Sequence, residues 1–475
     1  MFLLQSQPEW LAVTLVCLRL LISLFMTADI LLRKSDVRAA FGWIAAVWLS
    51  PLIGGALYYM FGINRVTRRA SRLSKVKPRG GRGNALSLPG LPANVAELSR
   101  ISQRVTETPL SAGNHIVPLH GGDEAYPAML QAIGEARHSV ALASYIFRND
   151  VTGTDFVDAL IAAQRRGVAV RVLLDSIGAG YFFPKVMRRL VAGGVIADQF
   201  LHTWIPWRMP FLNMRSHRKI LVCDGTLGFT GGINIGVENL ASQPLETRVK
   251  DMHFRVEGPV VSQLMETFAQ DWEFTTAEEL NGDVWWPNLS ARGPVCARGV
   301  RSGPDGDVYK TETLLSVALS RAKKRVRIVT PYFLPGQHLQ FAIKEALLRE
   351  VTVDIVLPEK SDQILMDWAM MGHLRTFRHI PANLYLSPPP FDHSKLATID
   401  GEWALIGSSN WDIRSHRLNF EFDLECYDAG LAAEVDAAID DRIAAARKFD
   451  PAEIMSWPKI VQIRNAAAHL LLPYL

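Results

Sequence analysis

Two long apolar stretches near the start of the chain predict membrane helices. The second, Ala39 to Phe61, has no charged residue, and its 23 residues at a rise of 1.5 Å cover the roughly 30 Å hydrocarbon core of a bilayer. The first, Trp10 to Leu32, is equally long but contains Arg19 and Asp29. We predict the second stretch as the clearer span, and the first as another span or an amphipathic surface helix. Residues 1–64 are thus predicted to be a membrane anchor with two hydrophobic helices.

Basic residues after the second apolar stretch predict its orientation. They are Arg65, Arg68, Arg69, Arg72, Lys75, Lys77, Arg79 and Arg82. The loop between the two stretches has only Arg33, Lys34 and Arg38, next to Asp36. Because cytoplasmic loops are enriched in Lys and Arg, we expect the chain beyond residue 62 to lie in the cytoplasm. Residues 65–110 are predicted to be a basic linker, which also suits contact with anionic lipid.

From about residue 111 onward, apolar runs of strand type alternate with helical spacing. Val140–Phe147 reads as a strand, a helix follows, and Val168–Leu174 reads as a buried strand. The same order returns with Val326–Val329, a second helical segment and Val351–Leu357. Strand, helix and strand, occurring twice, predict an α/β protein built from two similar halves. We place these halves at residues 111–290 and 291–475.

A more specific repeat, a short sequence motif, occurs in the later part of each half. Residues 216–224 read SHRKILVCD and residues 392–400 read DHSKLATID, so both contain the pattern H-x-K-x4-D. A small-residue turn ending in asparagine follows each copy, and the His-to-Asn separation is 17 residues both times. One such pattern arises easily by chance, whereas two copies with identical spacing indicate a duplicated site. The residues concerned are His217, Lys219, Asp224, Asn234, His393, Lys395, Asp400 and Asn410.

These residue types suit chemistry on a phosphate ester. Alternate residues of a strand share a face, so His217 and Lys219 point together, as do His393 and Lys395. If the halves pack symmetrically, two imidazoles, two ammonium groups and two carboxamides surround one tetrahedral anion. One neutral histidine can attack phosphorus, while the other, protonated, donates to the leaving alkoxide. The lysines supply the positive charge, so we predict no metal and no other cofactor.

Composition narrows the classes of protein. Lys and Arg number 51 against 47 Asp and Glu, and this near balance disfavours a nucleic-acid-coating protein. Hydrophobic residues make up 49% of the chain, which excludes general disorder and agrees with a membrane component. Four cysteines, Cys17, Cys223, Cys296 and Cys426, lie far apart without a CxxC pair. Zinc ribbons, iron–sulfur clusters and disulfide frameworks are therefore disfavoured.

The paired H-x-K-x4-D motifs resemble those of the phospholipase D superfamily. The apolar N-terminal stretches, residues 213–219 (NMRSHRK) and residues 407–415 (GSSNWDIRS) are similar to bacterial cardiolipin synthases, over essentially the whole chain. The resemblance implies two pseudo-symmetric α/β/α halves behind a transmembrane helical hairpin, with one active site at their interface. It also implies a phosphatidyl-histidine intermediate and no required metal. Asp224 and Asp400, next to Gly225 and Gly401, are expected to order the local backbone.

Other residues near the motifs have candidate roles. A carboxylate is expected to hold the second nitrogen of each imidazole; Asp251 follows the first motif and Glu421 follows the second. Asp392, beside His393, is a candidate for tuning that imidazole. The apolar stretch from Trp204 to Phe211 is either core or an acyl-chain contact. The tail Ile460–Leu475 is either a docking helix or a surface anchor.

The resemblance implies transfer of a phosphatidyl group between two phosphatidylglycerol molecules with release of glycerol. Two alternatives remain open: a phospholipase D that uses water as acceptor, and a lipid-binding scaffold without turnover. The implied partners are phospholipid substrates and the membrane, not nucleic acid. The implied location is the bacterial inner membrane, as a multi-pass protein with a cytoplasmic catalytic region. The use of phosphatidylethanolamine as donor, the identity of the nucleophilic histidine and the oligomeric state are left open.

Overall fold

The computed structural model describes residues 9–34, 37–59, 91, 93–180, 184–202, 214–304, 307 and 309–470. The N-terminal helices belong to one compact unit, and the described residues from 93 onward form the body of another. The stretch Trp204–Phe211, expected to be either core or an acyl-chain contact, lies outside the described residues, as does most of the predicted basic linker.

The N-terminal unit has three helices: α1 (Glu9–Arg33), α2 (Val37–Leu49) and α3 (Pro51–Leu57). The second apolar stretch, expected to be the clearer span, is therefore divided. Ser50 is extended at φ −147° and ψ 90°, and Pro51, which has no N–H, begins the next helix. Helix α3 folds back closely on α2, because a Cβ on Gly54 would lie 2.2 Å from the carbonyl oxygen of Ala46.

This division changes the membrane prediction. Among the described residues, one helix, Val13–Arg33, is long and apolar enough to cross a bilayer, and Ala39–Leu49 is too short. The hydroxyl of Tyr58 donates to Asp29 at 3.0 Å, so the chain after α3 returns to the end of α1 where α2 started. Asp29 also pairs with Arg33 at 2.5 Å. The expected second span is thus not confirmed, since its described residues form two shorter helices.

Most strands of the body join one mixed sheet. The strands of the first half are β1 (Ser111–His120), β2 (Ser139–Ser144), β3 (Ala169–Asp175), β4 (Ile196–Phe200), β5 (Arg215–Ser216), β6 (Ile220–Cys223), β7 (Leu227–Gly231), β8 (Val249–Lys250) and β9 (Met252–Glu257). Those of the second half are β10 (Val295–Ser302), β11 (Arg325–Val329), β12 (Phe333–Leu334), β13 (Thr352–Pro358), β14 (Asn383–Ser387), β15 (Phe391–Asp392), β16 (Leu396–Ile399), β17 (Trp403–Gly407), β18 (Trp411–Asp412), β19 (Asn419–Tyr427) and β20 (Arg447–Phe449).

The strand order confirms two pseudo-symmetric halves. The first half runs β1-β9-β7-β6-β2-β3-β4, and the second runs β10-β19-β17-β16-β11-β13-β14-β20. An antiparallel pairing of β1 with β10 joins them at the centre. In each half the strands connected by helices are parallel, namely β2, β3 and β4 in one and β11, β13 and β14 in the other. The predicted strand, helix and strand units are confirmed to within three residues at their ends.

The helices of the body cover the sheet and close two hydrophobic cores. They are Ala93–Thr106, Gly121–Glu135, Val151–Arg165, Lys185–Ala192, Val261–Thr276, Lys310–Arg321, Gln337–Leu348, Ile364–Leu374, Ile413–Arg417, Ala429–Ala445 and Lys459–Leu470. Phe156 and Leu160 lie in the core of the first half. The first of these helices begins inside the predicted linker, and its Val95 and Leu98 are buried in the core of the second half. Hydrophobic burial therefore fixes residues 93–106 to the body.

Candidate active site

Two very short strands carry the motif histidines across the boundary between the halves. Strand β5, which ends next to His217, pairs in parallel with the start of β19 in the second half. Strand β15, which ends next to His393, pairs in parallel with β8 in the first half. The His217 amide donates to the Phe420 carbonyl at 2.9 Å, and the His393 amide donates to the Lys250 carbonyl at 2.7 Å. Each histidine is thus held by the backbone of the opposite half.

The two imidazoles meet at this boundary. Their ring centroids are 6.3 Å apart, and the ring planes are nearly perpendicular at 79°. Both side chains are largely buried, with exposed fractions of 8% for His217 and 12% for His393. The structure therefore brings together residues that are 176 positions apart in the sequence, as the duplicated motif predicts.

Each imidazole is oriented by a carboxylate from the other half. His217 Nδ1 lies 2.9 Å from Glu421 Oε2, and His393 Nδ1 lies 2.7 Å from Asp251 Oδ2. The carboxylates follow their own motifs at unequal sequence distances, yet they occupy equivalent positions. His253 pairs with the last residue of β7 and Asp423 with the last residue of β17, and each carboxylate lies two residues earlier. The difference in spacing is therefore absorbed by the connecting loops.

The small-residue turn after each motif packs directly against the carboxylate of its own half. A Cβ on Gly232 would lie 2.2 Å from Asp251 Oδ1, so this position has room only for glycine. At the equivalent position of the second half, the hydroxyl of Ser408 donates to Glu421 Oε2 at 2.7 Å. The carbonyl oxygen of Ser408 also lies 3.1 Å from His217 Nδ1. The Gly232/Ser408 difference between the two turns thus matches a difference in the carboxylates.

The two lysines are buried beside the imidazoles, and burial is the main cause of their altered acidity. Lys219 Nζ donates to the carbonyl of His217 at 2.7 Å, and Lys395 Nζ lies 2.9 Å from His393 Nε2. Burial, together with the charge of Lys395, lowers the pKa of Lys219 to about 7. Burial lowers the pKa of Lys395 to about 8. Burial therefore makes both lysines markedly more acidic than exposed lysines.

The same surroundings favour neutral imidazoles. Burial, followed by the charges of Lys219 and Lys395, lowers the pKa of His217 well below its ordinary value. Burial and the charge of Lys395 also lower the pKa of His393, although the hydrogen bond to Asp251 opposes this shift. Neutral imidazoles held at Nδ1 present Nε2 as the reactive atom.

A cavity of about 830 Å³ opens over the histidines. Asn234 and Asn410 both line it, and the Asn234 carboxamide oxygen accepts from the Ile146 amide at 3.3 Å. Two guanidinium groups, Arg215 and Arg414, also line it. The walls combine charged and apolar groups, as expected for a ligand with an ionic head and hydrocarbon chains.

The motif aspartates lie away from this cavity. The Asp224 carboxylate accepts from the backbone amides of His138 at 2.7 Å and Ser139 at 2.9 Å. In the second half, the Asp400 carboxylate accepts from the amides of Lys324 at 2.8 Å and Arg325 at 2.9 Å. Both aspartates are left-handed, with φ of 53° and 55°. These contacts are those of residues that order the backbone at the start of β2 and β11.

Several neighbours of the histidines did not stand out in the sequence. The Tyr145 ring packs against His217 with centroids 4.9 Å apart, and Lys219 Nζ lies 5.4 Å from its centre. Its position just after β2, at the same sheet edge as the motifs, was the available signal.

Asp392, predicted to tune an imidazole, instead pairs with Arg442 at 2.7 Å. It therefore acts on the packing of the helix Ala429–Ala445.

The sheet order and the paired His-Lys motifs define a phospholipase D-like fold with one site shared by two halves. The family described as "Cardiolipin synthase, PLD-like domain" matches residues 129–272 and 315–443, one segment in each half. Cardiolipin synthase A of Pseudomonas aeruginosa is 33% identical over 78% of this chain and 76% of its own. The major cardiolipin synthase of Bacillus subtilis is 28% identical over 96% of this chain and 99% of its own.

The chain therefore belongs to the phospholipase D-like cardiolipin synthase family, and it is an enzyme of the phosphatidyltransferase class. Among solved structures, a phosphatidylserine synthase of Haemophilus influenzae superposes with a TM-score of 0.62, over 80% of this chain and 100% of its own. At 16% sequence identity this likeness concerns the fold.

Proposed function

We propose that the enzyme transfers a phosphatidyl group from one phosphatidylglycerol to a second, releasing glycerol, through a phosphatidyl-histidine intermediate. The observation that carries this proposal is the pair of imidazoles, 6.3 Å apart, each held at Nδ1 by a carboxylate. This arrangement provides one nucleophile and one proton donor for a single phosphorus centre.

In the first step, His217 Nε2 attacks the phosphorus of the donor lipid. The bond between phosphorus and the glycerol headgroup oxygen breaks, and His393 supplies the proton that this alkoxide needs. Glu421 stabilises the positive charge that develops on His217. We assign the nucleophile to His217 because, among the described residues, nothing hydrogen-bonds its Nε2, whereas Lys395 Nζ lies within 2.9 Å of both ring nitrogens of His393.

In the second step, His393, now neutral, accepts a proton from the headgroup hydroxyl of the second phosphatidylglycerol. That oxygen attacks phosphorus, the phosphorus–nitrogen bond breaks and His217 is restored. Lys219, Lys395 and the carboxamides of Asn234 and Asn410 stabilise charge on the non-bridging oxygens. Asp224 and Asp400 support the site through the backbone.

Binding of the anionic substrate is expected to favour protonation of the histidine that acts as proton donor. Both imidazoles favour the neutral form, because burial and the lysine charges lower their pKa values. A phosphodiester between the lysines offsets their field, which raises the pKa of the neighbouring histidine. The proton donor is therefore created as the lipid binds.

The proposed location is the bacterial inner membrane, with the N-terminal unit as anchor and the catalytic body in the cytoplasm. Helix α1 supplies the candidate span, and the basic residues from Arg65 to Arg82 favour the cytoplasmic side. Such an anchor keeps the body close to its lipid substrates.

The direct test is incubation of purified full-length protein with phosphatidylglycerol and identification of the products by mass spectrometry. Cardiolipin and glycerol in equal amounts are expected. Phosphatidic acid without cardiolipin would instead show that water is the acceptor, and the absence of any product would support a binding protein without turnover. Parallel incubation with phosphatidylethanolamine defines the range of donor lipids.

A further inference from the structure

The C-terminal helix, Lys459–Leu470, has its polar side inward and its apolar side outward. Its buried residues are Gln462, Asn465 and Ala468. Its exposed residues include Ile460, Ile463 and Leu470, with exposed fractions of 73%, 63% and 77%. A helix that packs on a water-soluble protein normally has the opposite arrangement.

The inward side packs against the helix Ile364–Leu374, which we call the cavity helix. A Cβ on Gly372 would lie 2.4 Å from the Asn465 carbonyl oxygen, so the two helices are in close contact there. His373 Nδ1 lies 3.1 Å from His469 Nε2, and the guanidinium of Arg464 lies 4.4 Å from the centre of the Trp368 ring. These contacts fix which side of the C-terminal helix faces outward.

The outward side has the pattern of an interfacial membrane helix. Ile460, Ile463 and Leu470 are separated by three and seven residues, so they form one stripe along a helix about 18 Å long. Two basic residues, Lys459 and Arg464, flank this stripe on its two sides and are exposed. Basic residues bordering an apolar stripe suit the headgroup layer of an anionic bilayer.

The C-terminal helix is connected to the cavity over the histidines through the cavity helix. The cavity helix supplies Met366 to the cavity wall, and Gln363 just before it also lines the cavity. Ile364, between them, is 65% exposed. The C-terminal helix thus packs on the same helix that forms part of the cavity wall.

We propose that the C-terminal helix lies in the headgroup layer of the bilayer and places the cavity edge against the lipid from which substrates enter. The occupant of the apolar stripe is phospholipid. A second copy of the chain fits less well, because a stripe one helix wide is far smaller than the roughly 800 Å² per partner of a stable dimer. This inference extends the proposed function, but its test does not depend on turnover.

The test uses full-length protein reconstituted in vesicles of phosphatidylglycerol and phosphatidylethanolamine. Cys17 and Cys296 are replaced by serine, Cys223 and Cys426 are buried, and an environment-sensitive fluorophore is attached at Ile463→Cys. Vesicles containing phospholipids with brominated acyl chains are expected to quench this fluorophore strongly. The matched control is Leu348→Cys: Leu348 is 76% exposed and precedes the start of β13, at the sheet edge opposite the cavity. No lipid quenching is expected there.

Equal quenching at the two positions, or none at either, would overturn the proposal. Oxidation to an Ile463→Cys disulfide-linked dimer, without lipid quenching, would assign the stripe to a second copy and also overturn it. A protein that shows quenching at position 463 but no transferase activity would contradict the proposed function alone. The double variant Ile460→Ser/Ile463→Ser adds a second readout. It is expected to lose about tenfold in rate on vesicles but not on detergent-dispersed lipid.

Discussion

At the scale of single residues, burial lowers the pKa values of the paired histidines and lysines. His217 and His393 favour the neutral form, and the pKa values of Lys219 and Lys395 lie at about 7 and 8. The sequence predicts these residue types and their pairing, because the duplicated spacing is visible in it. It cannot predict their acidity, which depends on burial and on the separation of groups that are distant in the chain.

The two histidines are expected to be individually essential. In the proposed mechanism each histidine is needed in both steps, so His217→Ala and His393→Ala should each lower the transfer rate by about 10³-fold or more. The double variant should be little worse than either. Cardiolipin formation by purified protein measures this, with the thermal unfolding midpoint as a check of folding. His338→Ala, at an exposed histidine, is the matched control and should retain activity. An active His393→Ala enzyme would contradict the shared site, and a phosphatidyl adduct mapped to His393 would reverse the assigned roles.

The lysines are expected to set the alkaline limit of activity. Their pKa values are lowered, so the ammonium groups lose their protons as pH rises through about 7 for Lys219 and about 8 for Lys395. Charge that attracts the phosphodiester is then lost, and kcat/KM should fall above this range. The check is a profile of kcat/KM between about pH 6 and pH 10, the range over which free lysine stays protonated. A constant kcat/KM up to pH 10 would show that the lysines remain charged, contrary to this expectation.

At the scale of elements, the repeat predicts the sheet better than it predicts the connections between halves. The hairpin after each histidine has the same register, with Ile220 opposite Thr230 and Leu396 opposite Ile406. Strands β5, β8 and β15 have two residues each, too few for any periodic signal. Their pairings depend on tertiary contacts, so the exchange of Asp251 and Glu421 between halves could not be predicted from hydrophobic pattern.

The turns behind the carboxylates are expected to respond unequally to substitution. Gly232→Ala places a methyl group 2.2 Å from Asp251 Oδ1, so the carboxylate must move and release His393. A loss of about 100-fold in kcat/KM is expected, since a displacement near 1 Å at a catalytic group has that effect. Ser408→Ala removes one hydrogen bond to Glu421 without a clash, and should cost about tenfold. Gly134→Ala, where a Cβ meets nothing within 4 Å, is the control. A fully active Gly232→Ala enzyme would show that Asp251 does not need its present position.

At the scale of the whole molecule, the two halves of the body contribute residues to one shared site. The central β1–β10 pair joins the sheets, and the exchanged strands place the site at the boundary. The sequence predicts the two halves because both copies of the motif are present. In the N-terminal unit, by contrast, hydrophobicity alone predicts one continuous helix between Ala39 and Phe61. The structure instead has a helix break at Ser50-Pro51. Local backbone geometry there outweighs the hydrophobic pattern.

The N-terminal hairpin leads to a specific membrane topology. If α1 is the span and Tyr58 returns to Asp29, then Arg33 and Tyr58 lie at the same membrane face, and we expect the basic stretch that follows Tyr58 in the sequence to begin there. The positive-inside rule makes that face cytoplasmic, and it places Trp10 at the opposite face. In spheroplasts, an impermeant thiol reagent should therefore label Trp10→Cys and should reach Leu348→Cys only after lysis, both in a background lacking Cys17 and Cys296. Two spans would protect both cysteines in intact spheroplasts. Labelling of Leu348→Cys from outside would place the catalytic body on the wrong face for this topology.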